Sequence, residues 1–84
     1  MISIRFVSGR WPKKYTAFVY KDDRLIKTSS FGDQRYQQYR DRTPLQLYKA
    51  GNHLDERRRA LYHKRHNYNA EKYSPGWFSK RYLW

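Results

Sequence analysis

Apolar and polar residues alternate at the amino-terminal end of the chain. Ile2, Ile4 and Phe6 fall on one side of an extended segment, with Ser3, Arg5 and Val7 on the other. Alternation of this kind is the period-two signature of a half-buried strand. Gly9-Arg10-Trp11-Pro12 interrupts it. Two further runs, Tyr15-Thr16-Ala17-Phe18-Val19-Tyr20 and Leu25-Ile26-Lys27-Thr28-Ser29-Ser30-Phe31, are dense in β-formers. Between them Asp22-Asp23, flanked by Lys21 and Arg24, makes a polar turn suited to a hairpin with about four loop residues. Strands are therefore expected over residues 2–7, 15–20 and 25–31, as an antiparallel hairpin or a three-stranded meander.

After Phe31-Gly32-Asp33 the pattern changes. Thr43-Pro44-Leu45-Gln46 combines a capping hydroxyl, proline at the first helical position and glutamine three residues after the cap. It predicts a short helix over 44–50. Gly51-Asn52 supplies a stop and a new cap, and Asp55 and Glu56 follow in what would be a first turn, so a second helix is expected over 53–67. Leu47, Leu54, Leu61 and Tyr68 stand seven apart, which equally suits one bent helix across Gly51. On a wheel, Arg58 and Arg65 share the side of Leu54 and Leu61. An arginine there either stacks among core aromatics and pairs with a carboxylate, or reaches a ligand such as a phosphate. Ser74-Pro75-Gly76 marks a turn before an aromatic tail over 73–84. The tail suits one or two helical turns, with Trp77, Arg81 and Trp84 near one side. It can close the core, stack on bases, anchor at a membrane interface or dock into another protein.

Composition then limits what such elements can pack around. Six Leu, three Ile and two Val are a thin aliphatic supply for 84 residues, against nine Tyr, four Phe and three Trp. Disordered chains are poor in aromatics, so a small α+β domain with an aromatic core is expected: a hairpin or meander packed on one or two helices. With no cysteine, disulfides, thiol catalysis and cysteine-based zinc sites are excluded. No apolar run is long enough for a transmembrane segment, and no signal-peptide pattern opens the chain. A soluble protein that is not secreted is expected.

Charge adds a partner class. Lys and Arg total 19 against 7 Asp and Glu, a formal +12, and each half of the chain carries +6. No basic tail is appended to a neutral domain; the whole domain is positive. Nucleic acid, an anionic membrane or an acidic protein surface are the partners such a field attracts. Lys13, Lys14, Arg57, Arg59 and Lys64 are candidate phosphate contacts, with Arg58 and Arg65 as further ones and Trp77 and Trp84 as stacking or docking residues. No nucleophile elbow, glycine-rich phosphate loop or zinc-finger spacing is present. His63 and His66 can share a helix face, but no carboxylate or cysteine set accompanies them. No enzyme activity, metal or cofactor is expected.

Lys13-Lys14-Tyr15, Phe31-Gly32, Tyr36 and Tyr39 form one set of spaced motifs. Asp55, Arg58-Arg59, Tyr62, Arg65-His66, Ser74-Pro75, Phe78-Ser79 and Tyr82-Leu83-Trp84 continue it. Over residues 13–84 this resembles a family of small basic proteins encoded by large nucleocytoplasmic DNA viruses of algae and amoebae. Residues 2–11 fall outside the pattern, and the Thr-Pro cap and Gly51 depart from it. The resemblance implies a viral context and transfers no active site. The +12 charge interleaved with aromatics leads us to expect an accessory protein that binds DNA or RNA through phosphates, and the resemblance adds the virion or the infected cell (cytoplasm or nucleus) as its location. The alternative is a minor capsid or cement protein gripping acidic virion neighbours.

Overall fold

The structure, a computed structural model, describes residues 1–66 and 69–84. Three strands, β1 (Ile2–Ser8), β2 (Tyr15–Lys21) and β3 (Arg24–Phe31), form an antiparallel sheet in sequence order. A long irregular segment containing one 3-10 turn (Lys49–Gly51) leads to α1 (Glu56–Arg65) and then α2 (Pro75–Tyr82). The chain is a small α+β fold, a meander packed against carboxy-terminal helices. No described helix is long and apolar enough to cross a membrane.

The hairpin between β2 and β3 is tighter than four loop residues. Lys21 pairs with Arg24, leaving only Asp22 and Asp23 in the turn, with φ of 50° and 66°. Positive φ at both central positions is the geometry whose twist matches two antiparallel strands, and aspartate tolerates it. The sheet buries one face. Ile4 and Phe6 on β1 stand opposite Val19 and Ala17, and Tyr15 stands opposite Phe31. Tyr15, Ala17, Val19, Phe31, Phe78 and Leu83 form the buried cluster. Phe78 of α2 stacks on Phe31 with centroids 5.2 Å apart, and Phe6 meets Phe31, Phe78 and Tyr82 edge-on. Each such pair adds roughly 0.5–1.5 kcal/mol beyond the area it hides.

The helix expected over 44–50 is replaced by irregular backbone. Thr43 Oγ1 does accept from the Gln46 amide at 3.3 Å, as a cap would. Gln46 then turns to φ 48°, which ends any helix. The next two amides are claimed by the core: Leu47 N–H donates to the Tyr15 hydroxyl at 2.8 Å, and Tyr48 N–H to Asp41 Oδ2 at 3.2 Å. The second helix also starts later than residue 53. Leu54 sits at φ 54°, and Asp55 is the cap, accepting from Arg57 N–H at 2.9 Å and Arg58 N–H at 3.2 Å. No helix crosses Gly51: it ends the 3-10 turn, and α1 begins five residues later. The expected helix end at Asn67 and the seventh-position Tyr68 lie outside the described residues.

Polar groups tie the irregular segment to the sheet. Asp41, 2 % exposed, accepts from the Tyr15 hydroxyl, from both the amide and hydroxyl of Thr43, and from Tyr48 N–H. Beside it the Lys14 amine donates to Gln38 Oε1, and Gln38 Nε2 donates to Tyr48 O and to Asn52 Oδ1. Asn52 Oδ1 also accepts from Asp41 N–H at 2.7 Å. Buried polar atoms must be satisfied in this way or the fold loses about 1–3 kcal/mol for each one left unpaired. Burial lowers the Lys14 pKa from its usual 10.5, against the pull of Asp41 and Asp33. Burial and the hydrogen bond to Asp41 push the Tyr15 phenol up to about 12.

Replacing Asp41 with Asn leaves one acceptor oxygen where two serve four donors, and sets an amide against donors. Asp41→Asn is expected to lower unfolding stability by about 2–4 kcal/mol, read by urea denaturation; a loss under about 0.5 kcal/mol would contradict the network. Stability should also depend on alkaline pH. Tyr15 ionises near 10 unfolded and about 12 folded, so native stability falls as pH rises through that window. Lys14 acts oppositely: the native chain releases its proton first, so stability rises as pH approaches 10.5 from below. Phenolate absorbance should show a late ionisation step that Tyr15→Phe diminishes, the remainder coming from Tyr39, whose pKa the hydrogen bond to Glu56 also raises.

Candidate nucleic-acid interface

The α1 segment carries Arg57, Arg58, Arg59, Lys64 and Arg65 against Glu56 alone. Glu56 and the capping Asp55 sit at the positive end of the helix and its cations extend through the last turn, as the helix dipole favours. No residue of α1 is buried. Its orientation differs from the one the leucine spacing suggests. Leu54 and Leu61 remain 58 % and 46 % exposed, and the side turned to the protein carries Arg59, Tyr62, His63 and His66, about 130° around the cylinder. The spacing misleads because Leu47 and Leu54 lie in irregular backbone, so their seven-residue interval has no helical meaning.

Trp84 is what α1 packs on. The Tyr62 ring lies flat on the Trp84 ring, with centroids 4.4 Å apart and planes 3° from parallel. Arg59 Nε donates to the Trp84 main-chain oxygen at 2.9 Å, and His63 Nε2 lies 3.1 Å from the same atom. The Arg59 guanidinium also covers the Tyr39 ring at 4.7 Å, and Tyr39 in turn donates to Glu56. Arg59 is thus the arginine held among aromatics. Arg58 is exposed, donating to Gln37 Oε1 at 2.9 Å, and Arg65 is exposed as well. Of the two readings left open for Arg58 and Arg65, packing in the core is the one the structure does not bear out: both are exposed.

With Leu61 and Trp84, these two arginines line a depression of about 260 Å³. Trp84 also walls a second cleft of about 360 Å³, shared with Lys13, Tyr36 and Tyr62. Arg58, Arg65, Trp84 and Lys13 are therefore brought to neighbouring concavities. Arg57 and Lys64 stand exposed on α1. Two candidates separate from the group. Lys14, expected at a phosphate, is 3 % exposed with its amine on Gln38, because it shares β2's entry with the Tyr15–Asp41 bonds. Trp77 lies elsewhere, edge-on to Tyr73 and Phe78 under the Arg81 guanidinium at 5.3 Å, beside Lys80 in a hollow of about 340 Å³. The tail therefore packs back on the core, with Trp77 and Trp84 parted because Trp84 lies beyond the end of α2.

Near the larger cleft, Arg35 donates twice to the Asp33 carboxylate and holds its pKa down at about 2. That carboxylate stays charged but is matched locally. His53 sits against the Trp84 ring at 5.2 Å, and burial, with Arg58 nearby, lowers its pKa. Sequence pattern alone missed His53 and Tyr39, whose roles depend on contacts with Trp84 and Glu56 far along the chain. Comparison with protein families, with curated proteins and with solved structures finds no match.

Arg59→Ala should lower the thermal stability by about 1–2 kcal/mol, since it removes a charge-assisted hydrogen bond and a cation–π contact. Arg58→Ala and Arg65→Ala should each stay within about 0.5 kcal/mol. Comparable losses at all three positions, measured by thermal denaturation, would contradict the orientation of α1.

Proposed function

We propose that the protein is a non-catalytic binder of nucleic-acid phosphates with little sequence preference. The observation that carries this reading is the pairing of Arg58 and Arg65 at one aromatic-walled depression on a helix that buries nothing. Guanidiniums that do not hold the fold together are free to exchange hydration for phosphate oxygens. The formal charge of +12 supplies the surrounding field, and Arg57, Lys64 and Lys13 extend the contact beyond the pair. Released counterions would provide most of the affinity, so binding would respond steeply to salt. The resemblance to small basic proteins of large DNA viruses supports packaging in a virion as the setting.

A protein-facing reading has one observation in its favour, the exposed Leu54 and Leu61 beside those arginines. A minor capsid or cement protein could seat them against a larger acidic subunit. Nuclease treatment of particles separates the two: a genome-bound protein is released, whereas a cement protein stays with the shell.

Fluorescence anisotropy with short duplexes and single strands should show binding at about 50 mM salt that falls by at least about 10²-fold at 200 mM. Joint replacement of Arg58 and Arg65 by Ala should lower the salt slope by about two and weaken both substrates alike. Absence of binding at the lower salt removes the proposal.

A further inference from the structure

Among the described residues, one face of the sheet carries no helix. Phe31, Tyr15, Ala17 and Val19 turn toward α2 and the irregular segment, and the alternate residues of β2, Thr16, Phe18 and Tyr20, turn away. Among the described residues no helix covers this second face; the helix-to-sheet packing joins α2 to β3 on the core side. Phe18 and Tyr20 occupy the middle strand, so their rings are flanked by neighbours on both sides and stand half-buried, with their remaining surface facing solvent. Two residues apart on a strand, they stand about 6.8 Å from each other.

The neighbours define the chemistry. Arg5 on β1 and Thr28 on β3 stand directly opposite Phe18. Thr16 and Ser30 join hydroxyls at 2.9 Å next to it. A register shift between Val19 and Tyr20 sets Leu25 beside Tyr20. Two aromatic rings are thus framed by hydroxyls, one guanidinium and the aliphatic Val7 and Leu25, and no carboxylate stands among the paired residues of this face. A soluble protein partner's hydrophobic surface would meet a cation here with nothing to pair it. A nucleic-acid strand would not: its bases offer π-faces to Phe18 and Tyr20, and its phosphate offers an anion to Arg5.

We infer that the open sheet face is a base-stacking surface for single-stranded nucleic acid, with Phe18 and Tyr20 each receiving a base and Arg5 an adjoining phosphate. This rests on the nucleic-acid reading above and adds a preference to it. A duplex keeps its bases stacked on each other and can use only the phosphate contacts of α1. A single strand can use both surfaces.

The test compares single-stranded and duplex oligonucleotides of one length on the wild type, on Phe18→Leu/Tyr20→Leu and on Arg5→Glu. The leucine pair keeps apolar bulk on the strand while removing the rings, and Arg5 is exposed, so circular dichroism should report an unchanged fold in both. Loss of at least about tenfold on the single strand by the leucine pair, with duplex affinity and salt slope unchanged, is the expected result. Ultraviolet cross-linking of a uridine-containing strand should mark the tryptic peptide spanning residues 15–21. Single-strand affinity that ignores the leucine pair, or cross-links that avoid that peptide, overturns the stacking surface and leaves the phosphate reading standing. A wild type that binds neither substrate overturns both. A dimer that the leucine pair dissolves, seen by sedimentation, would show that a second copy covers the face and would overturn the inference too.

Discussion

The Asp41 carboxylate is the point on which the rest of this fold turns. A chain with so few aliphatic residues cannot hold a long irregular segment to a three-stranded sheet by apolar burial alone. Four donors converging on one buried carboxylate, from Tyr15, Thr43 and Tyr48, do it with geometry that apolar contacts cannot specify. The neighbouring Lys14–Gln38–Asn52 chain fixes the second half of the same segment. Because Asn52 Oδ1 also accepts from Asp41 N–H, the two sets are one connected network. The position of everything that follows, including the Asp55 cap of α1, depends on it.

Seen from that network, the distribution of charge has an order. Lys14 and Asp41 are removed from the surface, Arg59 is laid over Tyr39, and Arg35 is matched by Asp33. The cations left outward on α1 are Arg57, Arg58, Lys64 and Arg65. The net charge of the sequence therefore overstates the field at any one patch, and α1 carries four exposed cations on a single ten-residue helix. Aromatic residues divide in the same way: Phe31 and Phe78 fill the core, Tyr62 and Trp84 mount α1, and Phe18 and Tyr20 remain on the far side of the sheet.

The strands were legible because alternation is a local property. Ile2, Ile4 and Phe6 had to share a face whatever they packed against, and a register error would have turned Ile4 and Phe6 away from the core. The helical turns of the tail were expected too, but Ser74-Pro75-Gly76 was expected as a turn before them and instead opens the helix, with Ser74 accepting from Trp77 N–H and Pro75 at the first position. The region 43–54 was not legible. Its capping box is real as a hydrogen bond between Thr43 and Gln46, yet Tyr15, thirty-two residues away from Leu47, takes the amide that a helix would have used. No window of sequence contains that competition. The candidate site suffered the same limit. Arg58 and Arg59 are adjacent and chemically identical, and only the place of the Trp84 oxygen decides which is structural and which faces solvent.

That oxygen gives α1 an unusual dependence. A helix with no buried residue contributes little to its own retention, and Arg59, Tyr62 and His63 all engage the same tryptophan. Undocking residues 83 and 84 would release α1 as well, so the two are set to open as one cooperative unit, below the stability of the sheet. Any ligand that engages α1 in its docked arrangement then stabilises the tail by linkage, although it need never touch the core that Leu83 seals.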